Sequence, residues 1–152
     1  MENASARNMW GEYLKTHLEH VFEHAPKTCY FGDNETDANN FAEMTKKETK
    51  KAVSHSLLGL QNRNEPLPKI GDFIVLTNWA GEAQCIVRTK SVSLKPYFSI
   101  DSTYVQKEGY GDKSLEQWKS YYWNLFTNEL QKFKRVPRES MIVVCQEFEK
   151  VY

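Results

Sequence analysis

The apolar run Phe73-Ile-Val-Leu-Thr77 is introduced by the turn Lys69-Ile-Gly-Asp72 and followed by the reversal Trp79-Ala-Gly-Glu82. A second β-type run, Gln84 to Val92, answers it. Two such runs about a short glycine-containing reversal specify an antiparallel hairpin. A hairpin alone is marginal in water, so further strands must complete a sheet. Ala52 to Leu58 and Met141 to Phe148 read as those strands. Helical spacing of apolar residues predicts helices over about Ser5–Phe22, Asp37–Lys47 and Ser114–Phe133, the last stopped by Val136-Pro137. The strands do not alternate regularly with helices, as a parallel sheet would require. The chain therefore reads as an α+β protein on a small sheet or barrel with flanking helices.

One domain accounts for the length of 152 residues. Twenty basic and twenty acidic residues balance to zero, so the charge total points to no polyanionic partner, although a local basic face fits within it. The basic cluster is Lys46, Lys47, Lys50 and Lys51, at the end of the second helix, where cations complement the helix dipole. No apolar run is long enough to span a membrane. No basic segment followed by an apolar stretch opens the chain, so no secretory signal is expected. The three cysteines, Cys29, Cys85 and Cys145, lack metal-type spacing, which points to a reduced, cytoplasmic protein. His17, His20 and His24 have helical spacing but no further ligand to join them. They read as a solvated helix face, with no metal and no cofactor expected.

The turn Glu108-Gly-Tyr-Gly-Asp112 leads into an aromatic-rich helix beginning Ser114-Leu115 with Trp118. Gly109 and Gly111 allow positive φ and a close backbone approach to a ligand, and Asp112 or Ser114 can cap the helix. A tight loop-to-helix junction is the plainer reading of the same residues.

The order of these features resembles the ASCH domain family, in the subgroup with an extra N-terminal helix. The markers are Tyr30-Phe31-Gly32, Thr49-Lys-Lys-Ala52, Leu67-Pro-Lys-Ile-Gly-Asp72, Thr77-Asn-Trp79, Arg88-Thr89, the Glu108 turn with Trp118, and Val143-Val-Cys145 with Phe148. The resemblance runs from about Trp10 to Tyr152. It implies a PUA-like β-barrel with flanking helices, and a cleft facing RNA, a nucleotide or a nucleoside. Some members of the family are hydrolases, acting on an acylated cytidine or on RNA. In the amidohydrolase type a G-x-K-x-x-T motif supplies lysine and hydroxyl, and a glutamate before the later turn completes the set.

Two registers carry that motif over. One makes Lys50 the lysine and leaves Val53 in the hydroxyl position; the other pairs Lys51 with Ser54. Glu108 matches the family's glutamate. The hydrolase reading thus rests on Lys51, Ser54 and Glu108 as base, nucleophile and proton carrier. The binding reading adds Lys50, Trp79, Arg88, Tyr110 and Asp112 as ligand contacts. Each has a plainer role: helix-end solvation for Lys50 and Lys51, an ion pair for Arg88, packing under the N-terminal helix for Trp79, rim or core packing for Tyr110 and capping for Asp112. Tyr110, Tyr122 and Gln146 stand where the family more often has titratable groups, a trend that favours binding over acid–base catalysis. His55 reads as a satisfied strand residue.

Overall fold

The computed structural model describes residues 2–109 and 114–152. Among them, five strands form one curled sheet: β1 (Lys27–Cys29), β2 (Ala52–Ser56), β3 (Phe73–Thr77), β4 (Ala83–Pro96) and β5 (Ile142–Lys150). The strand order is β1-β3-β4-β5-β2. The expected hairpin is β3–β4, with Ile74 opposite Val87 and Leu76 opposite Cys85. Strand β5 pairs antiparallel with both β4 and β2, while β1 adds parallel to β3. Strands β1 and β2 are the two free edges, so the sheet is a half-barrel with one open side.

Burial on both faces explains why β3 is continuously apolar. Ile74 and Leu76 point into the half-barrel, where Phe31, Phe41, Val87 and Phe148 join them. Phe73 and Val75 point outward, beneath α1 (Ala4–Lys15), whose Ala6, Trp10 and Tyr13 cover them. On the far side, α4 (Ser102–Glu108) and α5 (Leu115–Gln131) pack Tyr104, Trp118, Tyr122 and Phe126 against Ala52, Val143 and Cys145. Helix α2 (Glu35–Lys46) brings Phe41 and Ala42 to the interior.

Three elements depart from the sequence expectation. The N-terminal helix ends at Lys15, and Leu18, Val21 and Phe22 are exposed rather than inward. The chain turns at Thr16 because the His17 and His20 rings fold back over Tyr13, 4.1 and 5.8 Å between centroids, with Tyr13 Oη 2.9 Å from His20 Nδ1. These histidines are therefore a ring stack, not a solvated helix face. Strand β2 stops at Ser56, whose Oγ accepts the Gly59 N–H and starts a short helix, α3 (Leu57–Asn62). The edge strand β1, directly after Pro26, lies in a segment for which the sequence pattern specifies no strand.

Candidate functional site

A cleft of about 910 Å³ opens where the half-barrel fails to close, and both edge strands line it. Lys27 and Cys29 of β1 form one side; Val53, Ser54 and His55 of β2 form the other. Phe31 and Gly32 follow β1 into it, Tyr121 and Tyr122 reach it from α5, and Gln146 lies inside. Arg63, Glu65, Glu129 and Lys132 stand around the mouth. Arg63 is held there by Glu129 and by Glu65, 3.0 Å away, and Glu65 also meets Lys27 at 3.6 Å.

Behind the β2 wall lies a buried ion pair. Lys50 Nζ is 2.9 Å from Glu108 Oε1 and donates to the Glu108 backbone carbonyl at 3.3 Å. Its ammonium also sits 4.6 Å from the Phe41 ring centroid. Lys50 is 1% and Glu108 0% exposed, so neither charge is solvated. Three more donors complete the carboxylate: Tyr122 Oη to Oε1 at 2.6 Å, Trp118 Nε1 to Oε2 at 2.6 Å, and Ser54 Oγ to Oε2 at 2.5 Å. An ionised carboxylate offers about four acceptor sites, and all are taken. Tyr104 Oη lies 2.9 Å from Ser54 Oγ and donates to the Val53 carbonyl at 3.0 Å. Burial first, then the Glu108 charge, pushes the Tyr104 and Tyr122 phenols well above their ordinary pKa, so both remain protonated donors.

Strand geometry explains which lysine arrives. Alternate residues of an extended chain share a face, so Lys50, Ala52 and Ser54 point together toward α4 and α5. Lys51 points the other way and is exposed, its backbone bonded to Lys107 and Phe148. The structure thus gathers Lys50, Ser54 and Glu108 and leaves Lys51 apart; Val53 faces the half-barrel interior. Gly109 has φ +70°, as the turn suggested, but its close approach is to protein. A Cβ there would lie 2.6 Å from the Thr49 carbonyl oxygen. That contact seats Glu108 over Lys50.

The other expected contacts lie elsewhere. Arg88 donates to the Gly71 carbonyl and pairs with Glu23 at 3.3 Å, stacking over Phe73, outside the cleft lining. Trp79 packs on Tyr30, with centroids 4.9 Å apart, and does not line the cleft or sit under α1. Tyr110 and Asp112 fall outside the described residues. Trp118, Tyr104 and the trio His55, Gln146 and Thr89 were not singled out as site residues. His55 Nε2 is 2.8 Å from Gln146 Oε1, and Gln146 Nε2 donates to Thr89 Oγ1 at 2.8 Å. Burial, outweighing the Gln146 hydrogen bond, holds the His55 pKa below its ordinary value. The strand period was the available signal, since it sets Val53 and His55 opposite Ser54.

Among the described residues no group of histidine, cysteine and carboxylate side chains is placed to hold a metal ion. No described helix is long and apolar enough to cross a membrane.

Sheet, helices and cleft define a mixed α+β domain with a PUA-like half-barrel. The chain belongs to the ASCH domain family, whose model matches residues 27–152. It is similar to the crystal structure of an ASCH domain from Lactobacillus crispatus JV V101. That comparison gives a TM-score of 0.91 and 29% identity, over 97% of this chain and 94% of that one. It is also similar to protein EF3133 from Enterococcus faecalis V583, with a TM-score of 0.88 and 25% identity over 97% of this chain and 88% of that one. Helix α1 precedes the family match, and the 97% coverage extends over it. No curated protein matches the chain.

Proposed function

We propose that this ASCH domain is a binding module for one nucleoside or nucleotide unit, free or within a short single-stranded RNA, held in the cleft between β1 and β2. The observation that carries this reading is the cleft's composition along its depth. Its size falls within the range of small-molecule sites, at about 910 Å³. Phe31 and Tyr121 offer aromatic surface on which a base stacks. Ser54, His55 and Gln146 supply polar contacts to a base edge, and Arg63 and Lys132 stand at the mouth, where a sugar or phosphate would lie. The balanced charge total suits recognition of a single unit better than tracking of a long polyanion.

Calorimetric titration with ribonucleosides, their monophosphates and a trinucleotide tests the reading. His55→Ala is expected to weaken binding by about tenfold or more, as loss of a buried polar contact does, while Lys51→Ala leaves it unchanged. Equal affinity in His55→Ala would place the ligand elsewhere.

A hydrolase is the second reading, favoured by the 2.5 Å contact between Ser54 Oγ and Glu108. Ser54 would attack an acyl carbon, Glu108 would carry its proton to the leaving nitrogen, and Lys50 would hold Glu108 in place. Ser54 would supply the hydroxyl that Val53 lacks. The filled carboxylate argues the other way, because accepting a proton displaces one of its donors. Product analysis with acylated cytidine separates the readings: turnover abolished in Ser54→Ala would establish the hydrolase.

A further inference from the structure

Resting on the reading of the cleft as a nucleoside-type site, we propose that its deep end is an acceptor surface. It selects planar heterocycles that present N–H donors, and His55 Nδ1 is the contact that decides the choice.

Ser54 and Tyr122 both line the cleft, yet the proton of each hydroxyl is turned away from it. Ser54 Oγ donates to Glu108 Oε2 at 2.5 Å and Tyr122 Oη to Oε1 at 2.6 Å. A hydroxyl has one proton and two lone pairs. Each oxygen also has a protein partner on one lone pair, the Ser54 N–H at 3.4 Å on Tyr122 Oη and Tyr104 Oη at 2.9 Å beside Ser54 Oγ. With the proton committed to a buried carboxylate, a group arriving from the cleft meets the lone pair that remains. An amine or ring N–H is satisfied there; a carbonyl oxygen meets another acceptor. Glu108 and Lys50 act on a ligand only through these two hydroxyls, which makes them positioning residues.

His55 reaches the same polarity by another route. Its Nε2 faces the Gln146 amide oxygen at 2.8 Å, and the Gln146 amide nitrogen donates to Thr89 Oγ1 at 2.8 Å. A ring nitrogen against an amide oxygen carries the proton, which leaves Nδ1 as the lone-pair nitrogen. Among the described residues, no protein group bonds Nδ1. Burial disfavours a second proton, helped by the charge of Lys27 and opposed by Glu108 and Glu65. The amide at 146 matters: a glutamate there would draw a proton onto the ring and turn Nδ1 into a donor. Glutamine keeps it an acceptor.

Two measurements test this. ¹⁵N NMR of the histidine-labelled free protein should show the His55 proton on Nε2 and none on Nδ1, whatever ligand the cleft takes. Titrations should then compare adenosine with 6-methoxypurine riboside, and 2-aminopyrimidine with 2-methoxypyrimidine. The amino member of each pair is expected to bind about tenfold tighter or more. Gln146→Glu should erase that preference, and His55→Phe, which keeps a ring without the lone pair, should do so independently. If the pyrimidine fragments discriminate while no nucleoside binds, the nucleoside reading fails and the acceptor surface stands. Equal affinities within both pairs, preference for the methoxy member, binding by neither pair, or a proton on Nδ1 would each overturn the inference.

Discussion

Glu108, fully buried, accepts four hydrogen bonds, and among the described residues Lys50 is its only cationic donor. Removing one partner of a buried pair leaves an uncompensated charge, at a cost of about 3–5 kcal/mol. Lys50→Met is therefore expected to destabilise by that amount in a urea titration, whereas the exposed Lys51→Met should stay within about 0.5 kcal/mol. The double variant Lys50→Met/Glu108→Leu should cost less than the sum of its parts, because no charge is then stranded. At this scale the sequence was legible as to residue type but not as to register. Lys, Ser and Glu were all visible, yet a spacing of three matches a helical motif. Only strand geometry shows that Lys50 and Ser54 share a face and that Lys51 does not.

Elements carry these side chains to one another. Helix α4 delivers Glu108 at its last residue, and Gly109 closes it in the left-handed region against Thr49. A side chain at Gly109 meets both the backbone penalty, about 1–2 kcal/mol, and the Thr49 carbonyl. Gly109→Ala is expected to destabilise by about 2 kcal/mol or more and to disturb the indole N–H resonance of Trp118, whose Nε1 bonds Glu108. An unchanged resonance and midpoint would mean that the turn does not seat the carboxylate. The hairpin β3–β4 and helices α2 and α5 were readable because long periodic patterns fix them. The three-residue strand β1 has too little pattern to show a period, and α3, capped by Ser56, starts inside an apolar run that continues the strand signal. The stop of α1 at Lys15 depends on a ring stack between turns, which an apolar-residue pattern does not register.

For the whole molecule, the open side of the half-barrel is the consequential feature, since it leaves β1 and β2 unpaired to each other and puts a cleft between them. His55 in that cleft links its environment to global stability. Burial holds its pKa in the folded protein below the ordinary 6.5, so the unfolded chain takes up the proton first as pH falls. The stabilisation is complete above that ordinary value and is lost progressively below it, down through the folded-state pKa. His55→Gln should flatten this part of a Tm-versus-pH curve. The separate loss below about pH 4.5, where Glu65 and Glu147 lose the ion pairs that lower their pKa, should remain. The fold class was legible from a hairpin and further strands mixed irregularly with helices, while the cleft arises from which edges fail to meet, a property of the folded chain rather than of any segment. The most direct test of the central claim is an amide ¹H–¹⁵N titration of the protein with nucleosides and a short single-stranded RNA. The account predicts shifts centred on Gly32, Val53, His55, Tyr121 and Gln146, with Lys46, Lys47 and Lys51 unmoved. Shifts confined to that lysine cluster, with the cleft silent, would contradict it.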